Sequence, residues 1–450
     1  MPTALIVLAA GKGTRMESDL PKVLHEVGQA PLYAHAVASA RDLEPERIVL
    51  IVGHGADAVQ ASAGALGIEA TFALQAEQLG TAHAVAQARA SLDGFDGDAI
   101  VLYGDTPFIR PETLERMLAA RAAGHAVVVL GFQPDDPARY GRLVMDGDRL
   151  ARIVEFKDAT EAERAIGLCN SGVVAADAQT LFNLVDAVGN DNASGEYYLT
   201  DIVQIANARG LTATVVTCDP SETMGIDTRA KLVEAEAVFQ ARARAEALDN
   251  GVTMLAPETV FFAQDTHVGR DVVVEQNIVF GPGVTVETGA RIRAFSHLEG
   301  CHVSSGAVIG PYARLRPGAE IGNDARIGNF VEVKASEIGE GAKVNHLSYI
   351  GDATVGERSN IGAGTVTCNY DGVFKHRTTI GRGVFIGSDT MLVAPVTIGD
   401  DAMTASGSVI TEDVPVGGLA LGRARQVNKP GLARKLFDRL RAEKDAKKKG

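Results

Sequence analysis

The stretch Leu5-Ile-Val-Leu-Ala-Ala-Gly-Lys-Gly-Thr-Arg-Met16 joins an apolar run to a short basic loop with two glycines. A continuous apolar run is typical of a parallel strand buried on both faces. Backbone N–H groups at a strand-to-helix turn point towards anions, and Gly11 and Gly13 permit that turn and a close ligand approach. Three cations accompany the loop: Lys12, Arg15 and Lys22. The stretch therefore predicts a buried strand followed by a phosphate-binding loop.

Two familiar phosphate-binding motifs do not fit this loop. The dinucleotide fingerprint needs a third small residue where this chain has Met16, and the P-loop needs Gly-Lys-Ser/Thr four residues beyond its first glycine. A glycine pair after a strand is also compatible with a plain turn. The flanking cations favour phosphate binding.

The composition indicates a multidomain globular protein. A chain of 450 residues exceeds what one hydrophobic core usually supports. The net charge of −14 argues against general nucleic-acid binding. Most of the late basic charge lies in residues 434–449, which are most simply a solvated tail.

Cysteine usage and hydropathy predict a cytoplasmic protein. Cys169, Cys218, Cys301 and Cys368 are far apart and form no CxxC pair, which favours reduced thiols. We recognise no signal-peptide pattern and no apolar run of membrane-span length, so we expect no membrane insertion.

In the first half, strand-like runs alternate with helix-compatible stretches. This alternation predicts an α/β domain with a Rossmann-like, mostly parallel sheet, whose ligands bind at the carboxyl ends of the strands. The predicted strands are 5–10, 48–53, 99–103, 126–131 and 212–217.

Several polar groups follow these runs. Residues 74–81 offer amides that suit a base edge, although a plain polar loop fits too. Asp105 directly follows a buried strand, as in many magnesium–phosphate sites, or else it is a helix cap. Asp227 is a candidate second carboxylate, but sequence separation does not show that the two meet. The clusters suited to a sugar, or to turns, are Tyr140-Gly141-Arg142, Glu155 with Lys157, and Asn170-Ser-Gly172.

After a helical linker, the second half follows a six-residue period. A period of six with glycine often following predicts a left-handed parallel β-helix, in which three hexapeptides complete a turn. We predict a first domain at 1–229, a linker at 230–250 and a β-helix domain at 251–450. The inward positions are Val268, Val274, Phe280, Val286, Ile292, Leu298, Val303, Ile309, Leu315, Ile321, Ile327, Val333, Ile338, Val344, Ile350, Val355, Ile361, Ile380, Ile386, Leu392 and Ile398.

Candidate chemistry on the β-helix centres on His346. A neutral imidazole near a cleft can accept a proton, although a lone histidine on a repeat is often only a surface residue. An irregular insertion at 367–377 interrupts the repeat, and such insertions tend to carry function. Basic side chains that suit an anionic ligand are Arg314, Arg316, Lys334, Lys375 and Arg423.

Taken together, these motifs resemble a known family across essentially the whole chain. It is the family of bifunctional bacterial N-acetylglucosamine-1-phosphate uridyltransferases and glucosamine-1-phosphate acetyltransferases. The matching stretches are Leu8-Ala-Ala-Gly-Lys-Gly-Thr-Arg-Met16 with Pro21-Lys22, Gln75-Ala-Glu-Gln-Leu-Gly-Thr81, and Gly362-Ala-Gly-Thr-Val-Thr-Cys-Asn-Tyr-Asp-Gly372.

The resemblance implies a first site for UTP and N-acetylglucosamine 1-phosphate. The sugar phosphate would attack the α-phosphorus of UTP in line, and Arg15 and Lys22 would hold phosphates. Asp105 and Asp227 match the positions of the Mg²⁺ ligands, and Gly141, Glu155 and Asn170 match sugar-binding positions. Positions around the nucleotide are matched by Leu8, Ala9, Ala10, Gly11, Gln75, Gly80, Thr81, Tyr103 and Gly104.

Residue 227 departs from the family pattern, because relatives usually have Asn where this chain has Asp227. A carboxylate is a good magnesium ligand, so we expect activity to survive. The added charge is expected to alter metal affinity or pH dependence.

For the β-helix, the resemblance implies acetyl transfer from acetyl-CoA to glucosamine 1-phosphate in a homotrimer, with sites between subunits. His346 matches the general base, and Glu332 is a candidate to orient it. Sugar-phosphate positions are matched by Arg316, Lys334, Tyr349, Asn360 and Lys375. Acetyl-CoA positions are matched by Ala363, Asn369, Tyr370, Ser388, Ser406 (often Ala in relatives) and Arg423.

Two other functions compete with this interpretation. One is a uridyltransferase whose β-helix is only an oligomerisation scaffold, and the other is a regulatory sugar-nucleotide binder without turnover. His346 and the insertion argue against the first, whereas Asp105 with Arg15 and Lys22 argues against the second.

Overall fold

The computed structural model describes residues 1–449, so Gly450, the last residue of the predicted second domain, lies outside the described residues. The chain forms two compact units. One comprises Met1–Ala245 with Phe262–Gln264, and the other comprises Glu246–Phe261 with Asp265–Gly450. The Ala/Glu/Arg-rich segment forms one helix, Arg229–Asp249, and Ala235 of this helix is fully buried in a core cluster of the first unit.

The first unit is an α/β fold. Its strands are β1 Thr3–Ala9, β2 Glu26–Val27, β3 Ala30–Pro31, β4 Arg47–Val52, β5 Thr71–Leu74, β6 Asp98–Tyr103, β7 Val127–Phe132, β8 Arg142–Asp146, β9 Arg149–Val154, β10 Cys169–Asp177 and β11 Ala213–Cys218. Its helices are α1 Leu32–Ala38, α2 Ala56–Ala65, α3 Thr81–Ala86, α4 Pro111–Ala122, α5 Glu161–Arg164, α6 Ala178–Val185, α7 Asp201–Ala208 and α8 Arg229–Asp249.

The main sheet confirms the predicted parallel core. Its strand order is β11-β7-β10-β6-β1-β4-β5, with β8 and β9 attached to β10. Strand β1 pairs in parallel with β4 and β6, and β11 pairs in parallel with β7. The exception is β10, which runs antiparallel to both of its neighbours. Apolar clusters cover both faces of the sheet, so the central strands are apolar without interruption.

The second unit is a parallel β-helix with three faces, in agreement with the left-handed helix predicted from the hexapeptides. The first face comprises Thr253–Met254, Val273–Val274, Arg291–Ile292, Val308–Ile309, Arg326–Asn329, Lys343–His346, Asn360–Ile361, Phe385–Ile386, Met403–Thr404 and Leu419–Ala420. The second comprises Val260–Phe261, Ile278–Phe280, His297–Leu298, Arg314–Leu315, Glu332–Lys334, Tyr349–Gly351, Val366–Cys368, Met391–Val393 and Val409–Ile410. The third comprises His267–Val268, Thr285–Val286, Cys301–Val303, Ala319–Ile321, Ser336–Ile338, Ala353–Val355, Thr378–Ile380 and Val396–Ile398.

The six-residue period corresponds to the interior of the β-helix. From Val274 to Ile398, every predicted inward residue is at most 2% exposed, whereas Val268 in the first turn is only half-buried. Thr367, the first residue of the insertion, fills an inward position, and its hydroxyl accepts a hydrogen bond from the Gly351 N–H at 2.8 Å. The repeat therefore continues through a polar residue because that residue is hydrogen-bonded.

After the last strand the chain ends in helix α9, Leu432–Lys449. The sequence had predicted a solvated tail here. In the structure the tail is helical, and residues 432–448 are exposed.

Candidate active sites

The phosphate-binding loop follows β1 as predicted. Gly13 has a left-handed φ of +62°, and a Cβ there would lie 2.5 Å from the Cβ of Lys22. Only glycine avoids this clash, so the loop packs directly on the segment that carries Lys22. The Lys22 ammonium group in turn pairs with the Asp105 carboxylate after β6.

Asp105 and Asp227 lie on adjoining segments. The Ile226 N–H donates to the Asp105 carbonyl oxygen at 2.9 Å, which places Asp227 one residue away from that contact. The Asp227 carboxylate pairs with Arg15 at 2.6 Å and with Lys231 at 3.1 Å. Two carboxylates and three cations therefore converge beside the end of β6.

The fit to a divalent cation can be judged from Asp227. Its Oδ1 atom is buried and makes no hydrogen bond of acceptable geometry, so the Lys231 ion pair is its one polar contact among the described residues. A buried carboxylate oxygen without a hydrogen bond keeps unused acceptor capacity for a ligand. Carboxylate oxygens are the ligands that Mg²⁺ prefers, so these residues fit the metal.

The predicted base-binding segment forms the end of β5 and the loop before α3. Gln75 is buried, and its side-chain amide donates to the Gly80 carbonyl oxygen at 3.1 Å. Gly80 has φ +122°, and a Cβ there would clash with the backbone of Tyr197. The Thr81 hydroxyl accepts a hydrogen bond from the Leu199 N–H at 2.9 Å. The amides are therefore held in a fixed loop.

Tyr103 is the last residue of β6, which lies next to β1 in the sheet. It pairs in register with Leu8 of β1, and the following Gly104 N–H donates to the Leu8 carbonyl oxygen at 3.0 Å. A Cβ on Gly172 would lie 2.6 Å from the Tyr103 ring, so the ring packs directly on the β10 backbone. Burial raises the pKa of Tyr103, with the charges of Glu155 and Asp105 adding to the effect. The phenol therefore stays neutral.

Three residues predicted for sugar binding converge. The Asn170 N–H donates to the Gly141 carbonyl oxygen at 2.9 Å, and a Cβ on Gly141 would lie 3.5 Å from both Glu155 carboxylate oxygens. Burial raises the pKa of Glu155, and Asp158 and Asp201 raise it further. Thr200, in the polar stretch Glu196-Tyr-Tyr-Leu-Thr-Asp201 that the sequence also offers, donates its hydroxyl to the Glu155 carboxylate at 3.4 Å.

On the β-helix, His346 ends a strand of the first face and its side chain is exposed. Its Nδ1 lies 2.9 Å from Oδ1 of Asn329, the residue that pairs with it in register on the preceding turn. An amide oxygen only accepts, so Nδ1 carries the proton and Nε2 keeps a free lone pair. Asn329 therefore sets the tautomer that a general base requires.

Glu332 makes a different contact from the one predicted. Its carboxylate pairs with Arg316 at 2.8 Å, and the imidazole donates its Nδ1–H to the Asn329 side-chain oxygen instead. Sequence reasoning missed Asn329 because its partner is on the next turn of the β-helix. The usable signal was its position one turn, or 17 residues, before His346.

A second polar cluster lies on the second face. Lys334 pairs with Asp352 at 3.6 Å, and the Asn369 amide donates to the same carboxylate. The Asn369 amide nitrogen also lies 3.5 Å from the Tyr349 hydroxyl oxygen. Asp352, which the sequence did not single out, therefore links Lys334 to Asn369 of the insertion.

The insertion forms a small hairpin in which Tyr370 pairs with Lys375. The Asp371 carboxylate accepts from the N–H groups of Val373 and Phe374 and pairs with His376 at 2.7 Å. The His376 hydrogen bond and those two N–H groups lower the pKa of Asp371 to about 2. The hairpin thus holds Tyr370 and Lys375 at its base.

Most of the predicted acetyl-CoA residues stack at one corner of successive turns. The Gly364 N–H donates to the His346 carbonyl oxygen at 3.3 Å, and the Asp389 N–H donates to that of Ala363 at 2.6 Å. The Gly407 N–H, next to Ser406, donates to the Ser388 carbonyl oxygen at 2.8 Å. We call this row the corner column: Asn329, His346, Ala363, Ser388 and Ser406.

A Cβ on Gly407 would lie 4.0 Å from Cδ of Arg423, which continues the row. Asn360 lies apart from the column, on the first face between Lys343 and Phe385.

A groove of about 740 Å³ reaches His346 along the first face. Its lining includes Asn329, Arg293 and Arg326. Tyr312 and Phe330 also line the groove, and the rings of Phe295, Tyr312 and Phe330 stack with centroid separations of 4.9 and 5.2 Å. All three rings are about half exposed, at 46–56%.

Comparison with known proteins gives matches to both units. Residues 5–167 match the MobA-like NTP transferase domain, and residues 300–335 and 377–412 match the bacterial transferase hexapeptide (six repeats). The chain is 68% identical over 448 residues to a "Bifunctional protein GlmU" from Jannaschia sp. (strain CCS1), covering 100% of this chain and 98% of that protein. Proteins of the same name from Ruegeria sp. (strain TM1040) and Ruegeria pomeroyi are 65% and 67% identical, each with 100% of both chains covered.

Proposed function

The chain belongs to the family of bifunctional GlmU proteins, and we propose that each of its two activities uses the polar cluster of one unit. The enzyme synthesises UDP-N-acetylglucosamine by acetyl transfer to glucosamine 1-phosphate and uridylyl transfer to N-acetylglucosamine 1-phosphate. This product is a precursor for peptidoglycan, lipopolysaccharide and the cell wall. We propose that residues 1–229 form the uridyltransferase domain, 230–250 the linker and 251–450 the acetyltransferase domain.

The uridyltransferase site lies at the carboxyl ends of β1, β5 and β6 and at the amino end of the antiparallel β10. Gln75, Gly80 and Thr81 bind the uracil, and residues Leu8, Ala9, Ala10, Gly11, Tyr103 and Gly104 surround the rest of the nucleotide. Gly141, Glu155 and Asn170 bind the sugar, whose phosphate oxygen attacks the α-phosphorus of UTP while pyrophosphate leaves. The convergence of Lys22, Arg15 and two carboxylates supports this proposal, because cations there compensate the charge of the transition state.

Asp105 and Asp227 would hold Mg²⁺ at this site. The bound ion would supply positive charge to the phosphates of UTP. Lys22 and Arg15, which pair with the two carboxylates, are then released to contact phosphate oxygens. In the absence of ligands these ion pairs keep both carboxylates compensated.

In the acetyltransferase, His346 is the general base. Its free Nε2 takes the proton as the glucosamine 1-phosphate amine attacks the thioester carbon of acetyl-CoA, and CoA leaves as the thiol. The hydrogen bond from Nδ1 to Asn329 carries this assignment, because it fixes the tautomer. Arg316, Lys334, Tyr349, Asn360 and Lys375 hold the sugar phosphate, with Glu332 and Asp352 positioning two of these cations.

Acetyl-CoA extends along the corner column away from His346. It contacts Ala363, Ser388 and Ser406, and Arg423 binds a phosphate at the far end. Asn369 and Tyr370 contact it from the insertion. Ser406 stands where relatives often have Ala, and a contact through its backbone tolerates either residue.

The acetyltransferase works as a homotrimer in which a neighbouring copy covers His346. The exposed aromatic stack beside the groove supports this, because half-exposed rings next to a reactive side chain favour burial against another subunit. Light scattering should give a trimer mass, and a monomer that transfers acetyl groups at full rate would contradict it. We place the enzyme in the cytoplasm, and the free thiol state of all four cysteines agrees with a reducing compartment.

The decisive experiment follows two products separately. Purified enzyme receives glucosamine 1-phosphate, acetyl-CoA, UTP and Mg²⁺, while CoA thiol and pyrophosphate are recorded. We expect His346→Ala to lower thiol release by about 10²- to 10⁴-fold. It should leave pyrophosphate release from supplied N-acetylglucosamine 1-phosphate intact, and Asp105→Ala should do the reverse.

His297→Ala is the matched control, because His297 is another exposed histidine on a strand of the β-helix. It should leave both products unchanged. If the wild type never releases thiol, the β-helix is a scaffold and the acetyltransferase assignment is wrong.

A further inference from the structure

Helix α9 follows the last strand of the β-helix, and neither proposed active site includes a residue of this helix. Every residue from Leu432 to Lys448 is exposed. Large apolar side chains are among them, each 40–61% exposed: Leu432, Leu436, Phe437 and Leu440. The ion pairs of this helix that the described structure contains are local, such as Arg439 with Glu443 at 3.3 Å.

The apolar residues share one side of the helix. At 100° per residue, Leu432, Leu436 and Leu440 follow each other on successive turns, and Phe437 lies beside them. Together they cover an arc of roughly 140°. This apolar arc occupies the first half of the helix, and lysines at 444 and 447 continue its line.

Four cations border the apolar arc, whereas Glu443 lies in line with it beyond Leu440 and pairs with Arg439. Lys435 and Arg439 border one edge, and Arg434 and Arg441 border the other. Asp438 and Asp445 lie on the opposite side of the helix. The helix contains eight Lys and Arg against three Asp and Glu, although the whole chain has a net charge of −14. Its positive charge is therefore concentrated where the apolar arc meets solvent.

This distribution fits one kind of partner best. A helix with an apolar face, cationic borders and a low overall hydrophobicity lies in the plane of a membrane interface. Cations at the borders meet lipid phosphates, and long lysine side chains in line with the arc reach the headgroups while their stems stay apolar. We propose that α9 binds peripherally to an anionic lipid surface through the apolar arc and its four bordering cations.

Other partners explain less of the pattern. Nucleic-acid phosphates would attract the cations but leave the apolar arc without a role. A coiled coil with a second copy needs apolar positions over at least three heptads, whereas this arc ends at Leu440. No helix among residues 1–449 is long and apolar enough to cross a membrane, and α9 is proposed only to lie on one.

The test uses the full chain with phosphatidylcholine vesicles, prepared with or without phosphatidylglycerol. Cosedimentation should show binding only when phosphatidylglycerol is present, and added salt should weaken it. Phe437→Ala with Leu440→Ala should weaken binding at least tenfold while the helix persists, because alanine is a strong helix former. Arg434→Gln with Arg441→Gln should weaken it to a similar extent.

The matched control removes charge from the opposite side of the helix. Asp438→Asn with Asp445→Asn should leave binding unchanged or tighten it. Both catalytic activities, measured without vesicles, should be unaffected in every variant.

Three results would overturn the proposal. The first is equal binding to both vesicle types or to neither. The second is binding that survives loss of Phe437 and Leu440. The third is an absence of vesicle binding together with DNA binding or a change in oligomeric mass when α9 is altered, which would reassign the helix to a polyanion or to a second copy.

Discussion

The two candidate sites hold their side chains in different ways. In the α/β unit, distant segments touch through glycines, as where Gly80 meets the Tyr197 backbone, and charges pair in a partly buried crevice. On the β-helix, His346 is exposed, and hydrogen bonds between equivalent residues of successive turns set its place. Side chains are therefore positioned by close packing in the α/β site and by the register between successive turns in the β-helix site. Substitutions should damage fold and activity together in the first, but activity alone in the second.

The strongest test of this contrast is Gly80→Ala. A Cβ at Gly80 would lie 2.7 Å from the Tyr197 nitrogen, and φ is +122°, so the loop must move. A displacement of about 1 Å costs roughly 100-fold in rate, and we expect uridylyl transfer to fall at least that far. Pyrophosphate release should show this, with a lower melting temperature and unchanged thiol release.

Gly64→Ala is the matched control for that change. Gly64 lies in α2, and an added Cβ would meet nothing within 4 Å. It should keep full activity and gain about 0.4–1 kcal/mol of stability. A fully active Gly80→Ala enzyme would contradict the packing argument.

On the β-helix, Asn329→Ala should affect chemistry without affecting stability. The change removes the acceptor that fixes the His346 tautomer. A hydrogen bond of this kind is worth about 1–1.5 kcal/mol, so we expect thiol release to fall roughly tenfold. The melting temperature and pyrophosphate release should not change.

Asn329→Asp separates tautomer control from simple packing. A carboxylate accepts the same hydrogen bond but favours the charged imidazole. Activity should return at high pH, with the acidic limb of the kcat/KM profile moved to higher pH. Loss of activity at every pH would point to packing instead.

Asp227→Asn sharpens the comparison within the first site, because it removes one charge and leaves the geometry. Arg15 and Lys231 both pair with this carboxylate. One charge contact near water is worth about 1 kcal/mol, so the half-saturating Mg²⁺ concentration should rise about threefold to tenfold. The maximal rate should be retained. A wild type that needs no magnesium, with dependence appearing in Asp227→Asn, would contradict the ligand assignment.

The smallest expected effect concerns Glu155. Burial, with Asp158 and Asp201 nearby, raises its pKa above 4.5, so the fold loses stability as pH rises from 4.5 through the raised pKa. The melting-temperature difference between Glu155→Gln and wild type should therefore grow in favour of glutamine between pH 4.5 and 7, on the order of a few degrees. Glu161→Gln, the same change at an exposed helix position, should show no such trend.

Sequence periodicity predicted most of the fold. The six-residue period identified the interior of the β-helix from Val274 to Ile398, because each turn repeats the same burial. Strands β1, β4, β6, β7 and β11 were recognisable as apolar runs. The antiparallel β10 was not, because its polar start, Cys169-Asn-Ser-Gly172, reads as a turn.

The site was only partly predictable. Motif positions gave His346 and Lys334, but not the residues that contact them. Asn329 pairs with His346 and Asp352 pairs with Lys334 across successive turns of the β-helix. Such contacts depend on three-dimensional pairing that no local pattern encodes. For the same reason Glu332 was expected at the imidazole but lies against Arg316.

The corner column also has a metric consequence. Successive turns are about 4.8 Å apart, so the three steps from His346 to Ser406 span about 14 Å. In the binding mode proposed above, this spacing sets the length that an acyl carrier must span, in whole turns. A donor with a shorter arm could reach the imidazole or the distal arginine, but not both. Selection by length would then require no pocket shaped around the acetyl group.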